Sequence, residues 1–171
     1  MPGYNRRKLR SRYFYLIALV VVIADQISKW AVAQHLPFGT SVPVLGGFAY
    51  LTPLRNPGGA FGLFQSSTGL LILVSAAVVV AIIILARRKK ALPSMIGIAL
   101  AFQLGGAVGN LADRIRFHYV YDFIDLRFWP VFNFADIAIT VGILLLGYQL
   151  IFCEGRGSDA KDAVSGDAVK G

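Results

Sequence analysis

Charge is scarce in this chain of 171 residues: only 15% are Asp, Glu, Lys or Arg, against roughly 25% in an ordinary soluble domain. Cysteine occurs once, at Cys153, so no internal disulfide framework exists. That cysteine lies far from the N-terminus, which argues against a lipid anchor carried on it, and we read it as a buried thiol at a helix end. Histidine occurs twice, at His35 and His118, with no H-E-x-x-H and no cysteine cluster, so metal-assisted hydrolysis has no ligand set. No metal and no cofactor is expected. Serine chemistry lacks its base, because Lys29, the one lysine on the functional half, has Asp25 four residues earlier to neutralise it. The Gly105-Gly106 pair follows helix pattern and not a strand, which speaks against a phosphate-binding loop.

What the chain has in abundance is apolar sequence: 56% hydrophobic residues and a mean hydropathy of +0.64. The net charge of +8 is concentrated in two clusters. Arg6, Arg7, Lys8, Arg10 and Arg12 precede the first apolar run, and Arg87, Arg88, Lys89 and Lys90 follow the second. Both clusters abut apolar segments, so they read as cytoplasmic anchors under the positive-inside rule and not as a nucleic-acid surface. The first run, with its basic head and Ala31-Val32-Ala33 triplet, has the outline of a cleavable signal peptide. Three further apolar runs follow it, and Asp25, Gln26 and Lys29 interrupt it, so a retained membrane helix is the better reading.

The expected fold class is an all-α membrane protein with four transmembrane helices, at about 13–33, 69–86, 93–110 and 136–152. Residues 1–152 form a single integral membrane domain, and 153–171 a polar, disordered cytoplasmic tail. The outer loop 34–68 is broken by proline and glycine into short strands and turns, and its end, RNPGGAFGLF, suits a surface dipping back toward lipid. Gly97, Ala101, Gly105 and Gly109 recur every fourth residue, a small-xxx-small stripe that lets another helix approach closely. Four spans put both termini on one side, the cytoplasm by the basic clusters. The 34–68 loop and the loop before the fourth helix then lie outside, with every candidate functional residue on that outer half.

Ionisable residues at a membrane boundary are costly, so each is a functional candidate. Asp122 and Asp136 stand out, each set among apolar residues. Two carboxylates sharing a site cannot both ionise easily, so one keeps a proton while the other stays charged. The charged one can take a proton from water and the protonated one can donate to a peptide carbonyl, which suffices for amide hydrolysis without a metal. Plainer readings stand beside this one. Asp136 can be the N-cap of the fourth helix, and Asp122 a loop acid paired with Arg114 or Arg127. Asp25 and Lys29, four apart on one helix face, can be a self-neutralising pair that steadies packing. A proton-coupled transporter would also use such acids, but near the midplane and with an inverted repeat. A scaffold would use the small-residue stripe and leave the boundary aspartates without purpose.

Five blocks in order give the chain a closer likeness: DQISK (25–29), NPGGAFG (56–62), GGAVGNLADR (105–114), YDFI (121–124) and FNFAD (132–136). Together they resemble the lipoprotein signal peptidase family, also called signal peptidase II. The resemblance implies an aspartic endopeptidase of the bacterial cytoplasmic membrane that cuts prolipoproteins before a diacylglyceryl-modified cysteine. By position it makes Asp122 and Asp136 the catalytic pair and Asn56, Asn110, Arg114 and Asn133 the polar residues that meet substrate. It gives Asp25, Lys29, Gly58 and Asp113 supporting roles, and it turns the 34–68 loop into a small extracytoplasmic β cradle. Gly59 departs from the alanine common in the family. Membrane lipid and the diacylglyceryl-modified prolipoprotein are the expected partners, with no nucleic acid and no obligate protein partner.

Overall fold

A computed structural model of the chain describes residues 8–9, 11–58, 68–88 and 92–154. The Cys153 thiol, Gly59, the segment dipping toward lipid and the tail from 155 onward, all read above, lie outside the described residues. Four long apolar helices make up most of the structure: α1 (Ser11–His35), α2 (Thr68–Arg88), α3 (Ser94–Phe117) and α4 (Phe134–Tyr148), the last running on as a π-helical turn through Gln149–Glu154. Each is long and apolar enough to cross a membrane, so this is a multi-pass membrane protein.

Burial is uneven. α3 is the most enclosed helix and packs against α1, α2 and α4, whereas Ile82 is the one buried residue of α2. Leu16, Leu19, Val20 and Ile23 of α1 and Leu73, Val74 and Val78 of α2 are exposed, as expected of side chains that face lipid tails. In lipid the helices gain little from hiding apolar surface, so close approach must hold them. The small-residue stripe supplies it. A Cβ on Gly105 would come within 2.7 Å of the Ala18 carbonyl oxygen of α1, and one on Gly106 would collide with the Ala135 carbonyl oxygen of α4.

Two small sheets mark the two ends of the bundle. At one end β1 (Lys8–Leu9) pairs with β4 (Leu92–Pro93). At the other, β2 (Val42–Val44), β3 (Ala49–Asn56) and β5 (Val120–Asp125) form an antiparallel sheet in the order β2-β3-β5. The central strand β3 carries Pro53, which has no N–H to give a ladder, and the register slips by one residue between Leu51 and Leu54 to accommodate it. Downstream of this bulge Leu54 pairs with Asp122 and Asn56 with Val120. Asn56 therefore lies diagonal to Asp122 on the same sheet face; in the unslipped register Arg55 would take that place.

Two expectations need correction. The third helix does not stop near 110 but runs two further turns to Phe117, so Asp113 and Arg114 are helical. The segment before the fourth helix is not all loop, since 120–125 is the third strand of the sheet.

Candidate active site

The site lies where the sheet meets the ends of α1, α3 and α4, and two asparagines organise it. Asn133 is the N-cap of α4: its side-chain oxygen accepts from the Asp136 main-chain N–H at 3.1 Å. Asp136, at the third helical position, returns the contact by accepting from the Asn133 main-chain N–H at 3.1 Å. This capping box satisfies donors that the helix start leaves free. Asp136 is thus not the N-cap itself. Because the Asn133 oxygen is fixed by a main-chain donor, its NH₂ group points the other way. It donates to Asp122 Oδ1 at 2.6 Å and to Asn110 Oδ1 at 3.1 Å.

Asp122, on β5, is buried. Neither Arg114 nor Arg127 pairs with it. Its second oxygen accepts from Asn56 Nδ2 at 2.7 Å, and Gly58 donates its main-chain N–H to the Asn56 side-chain oxygen at 3.2 Å, holding that amide in place. Burial pushes the Asp122 carboxyl up to about 7; the charge of Asp136 adds to the rise, while hydrogen bonds from Asn56 and Asn133 and the charge of Lys29 oppose it. Asp136, half-buried, takes a further hydrogen bond from Asn110 Nδ2 at 2.8 Å on Oδ1. One residue, Asn133, therefore touches both acids directly, and Asn110 joins Asn133 to Asp136.

Behind the acids lies a buried ionic cluster. Lys29 pairs with Asp25 at 2.9 Å and with Asp113 at 2.8 Å, and donates to Asn110 Oδ1 at 3.0 Å. The i, i+4 pairing expected of Asp25 and Lys29 is present, but it is one edge of a larger unit. Asp25 Oδ1 also accepts the Ala135 N–H at 3.0 Å, so α1 ties down the first turn of α4. Asp113 Oδ2 accepts the Tyr121 N–H at 3.3 Å and so holds the start of β5. Arg114 donates at 3.5 Å to Ser75 of α2 and to the Asn110 carbonyl, within electrostatic reach of Asp136, Asp122 and Asp113.

Sequence reasoning missed Gln26, whose amide bridges Asp25 (3.1 Å) and Asp113 (3.0 Å). Its place beside Asp25 inside the first block was the available signal. It also missed Asp125, which accepts from Thr52 at 2.9 Å and pairs with Arg127 at 3.4 Å on the far side of the sheet. Beside Asp136 opens an apolar cavity of about 350 Å³, lined by Leu126, Phe128, Trp129, Phe132, Ile137 and Val141. Phe128 and Trp129 are exposed at its rim. Among the described residues no group of three or more His, Cys, Asp or Glu is arranged to hold a metal ion.

Comparison with known proteins gives this site a context. A family model described as signal peptidase (SPase) II matches residues 17–152. The lipoprotein signal peptidase of Moorella thermoacetica is 47% identical over 143 residues, covering 84% of this chain and 95% of that one. That of Caldanaerobacter subterraneus is 45% identical over 139 residues, covering 80% and 94%. A bacterial membrane enzyme structure determined by the in meso method at 2.3 Å resolution superposes with a TM-score of 0.79 at 28% identity, covering 86% of this chain and 93% of that one.

Proposed function

This chain belongs to the signal peptidase II family, and we propose that it is a membrane aspartic endopeptidase that removes signal peptides from diacylglyceryl-modified prolipoproteins, cutting before the lipidated cysteine. The observation that carries the reading is the shared asparagine: Asn133 donates its NH₂ to Asp122 at 2.6 Å and its main-chain N–H to Asp136 at 3.1 Å. Two carboxyls joined in this way share one field, and a single proton between them is the stable arrangement.

The two acids have different surroundings. Asp136 lies in the first turn of α4, where the helix dipole favours an anion, and both its oxygens accept N–H bonds. Asp122 is buried in a strand with no helix end to favour its charge, and its carboxyl is raised to about 7 by that burial. We therefore take Asp136 as the base and Asp122 as the acid. Asp136 removes a proton from water, the water oxygen bonds to the scissile carbonyl carbon, and Asp122 gives its proton to the carbonyl oxygen. In the second step Asp136 passes its proton to the departing nitrogen, Asp122 recovers one from the hydroxyl of the tetrahedral carbon, and the C–N bond breaks. The signal peptide leaves with a new carboxyl end, the cysteine with a new amino group, and the pair again holds one proton. Asn56, Asn110, Arg114 and Asn133 are the polar groups that orient the peptide and the acids. The apolar cavity beside Asp136 suits an alkyl group of the substrate.

The difference between the two ends of the bundle supports a reading of its location. We assign the enzyme to the bacterial cytoplasmic membrane, with Arg87 and Arg88 and both termini inside and the sheet with its acids at the outer face. A substrate held by its own lipid then needs only to diffuse laterally to reach the site. The test is cleavage of a diacylglyceryl-modified prolipoprotein by wild type, Asp122→Asn and Asp136→Asn. Each substitution is expected to abolish turnover while the protein still inserts and folds; full activity in either variant refutes the dyad.

A further inference from the structure

Lys29 takes no part in the steps above, yet its ammonium is buried and all three of its N–H bonds are committed. Two go to Asp25 (2.9 Å) and Asp113 (2.8 Å), and the third to Asn110 Oδ1 at 3.0 Å. The first two contacts neutralise charge. The third does something else. An ammonium has donors and no acceptor, so the end of the Asn110 carboxamide that faces it must be the oxygen. The NH₂ end is then turned toward Asp136, where it donates to Oδ1 at 2.8 Å. We infer that Lys29 is a positioning residue for the hydrolytic reaction, which through the Asn110 amide holds Asp136 as a hydrogen-bond acceptor ready to take a proton from water. This rests on the reading of Asp136 as the base.

The reverse orientation of the amide shows what is at stake. With its oxygen facing Asp136, two acceptors would meet, and the contact would survive only with a proton on the carboxyl, which removes the base. Asn133 Nδ2 is the other donor to the Asn110 oxygen, at 3.1 Å, but that NH₂ group also serves Asp122. Lys29 is the only ionic donor to the amide among the described residues. The charged groups facing this corner are Asp25 and Lys29 from α1, Asp113 and Arg114 from α3, Asp122 from β5 and Asp136 from α4.

The experiment measures kcat and KM against pH for Lys29→Met, Asp113→Asn and the double variant, with folding followed by thermal melting. Lys29→Met is expected to lose about 100-fold in kcat, the lower end of what general acid–base groups contribute, with KM unchanged. Its acid limb moves to higher pH, because a carboxylate that has lost a nearby cation protonates more easily. Asp113→Asn, which removes a negative charge, moves that limb the other way. The double variant keeps the net charge of the buried cluster, so its acid limb returns toward wild type. Its kcat nevertheless stays about 100-fold below that of Asp113→Asn, because the donor to Asn110 is still missing. Equal kcat in the double variant and in Asp113→Asn makes Lys29 a counter-ion and overturns the inference, as does wild-type kcat in Lys29→Met. Should Lys29→Met fail to fold, the double variant carries the comparison, since it keeps the net charge of the cluster and leaves one carboxylate, Asp25, without its cation instead of two. Activity retained in Asp136→Asn would refute the dyad itself, whereas these outcomes refute only the part assigned to Lys29.

Discussion

At the scale of the residue, Asp122 has the most to say about pH. Its carboxyl is raised to about 7, with burial the main cause. An unfolded aspartate titrates near 3.9, so between there and about 7 the folded chain holds a proton that the unfolded chain does not. The stability this contributes is complete below the unfolded value and is lost as pH rises through the folded one. Asp122→Asn has no proton to lose. The difference in melting temperature is therefore expected to move in its favour between pH 5 and pH 8, whatever fixed offset arises from turning an NH₂ toward those of Asn56 and Asn133. A difference that stays flat across that range refutes the assignment of the high value to Asp122. For the wild-type enzyme, kcat/KM is expected to fall above about pH 7 as Asp122 loses the proton it must donate; a profile with no alkaline limb near there counts against Asp122 as the acid.

At the scale of the element, the start of α4 is where packing and chemistry meet. Asn133 caps the helix from within, Asp25 holds the Ala135 N–H from α1, and Gly106 lets the Ala135 carbonyl lie against α3. A methyl at position 106 would drive that turn off α3, and overpacking of this kind costs about 2 kcal/mol. Gly106→Ala is expected to lower the melting temperature and, by drawing Asp136 away from Asn110, to depress kcat. Wild-type turnover in a destabilised Gly106→Ala enzyme would separate the seam from the site. The same region shows what sequence could and could not reveal. The four apolar runs marked the helices because lipid selects unbroken apolar stretches, and the five blocks marked the acids and their neighbours. The last two turns of α3 escaped notice because Asn110, Asp113, Arg114 and Arg116 break the hydropathy pattern, although a helix end rich in polar residues is stable when those residues find partners on α1, α2 and β5. Strand β5 escaped notice because its partner, β3, lies more than sixty residues earlier and two of its six residues are aspartates. The way Asn56 reaches Asp122 was not legible at all, since it depends on a diagonal contact set by the slip at Pro53.

At the scale of the whole molecule, the two sheets give the bundle two distinct ends, and the buried acids among the described residues are drawn to one. The proposed orientation is checked by single-cysteine labelling in intact cells, with Cys153 replaced by serine. A cysteine at Phe48, exposed on the three-stranded end, is expected to react with a membrane-impermeant maleimide from outside. One at Arg88, at the opposite end, should react only after the membrane is opened. The reverse pattern would invert the protein and put its acids in the cytoplasm.

The order β2-β3-β5 also bears on how the enzyme comes into being. The strand bearing Asp122 is the last to join the sheet, and Asp136 arrives later still, on the final helix. A nascent chain already threaded through the translocon with two or three spans in place thus presents Asn56 and half a cradle, but no paired acids. If these acids are the dyad proposed above, proteolytic competence switches on only after the fourth helix has been made, so a chain still lacking it is harmless to the lipid-linked precursors around it.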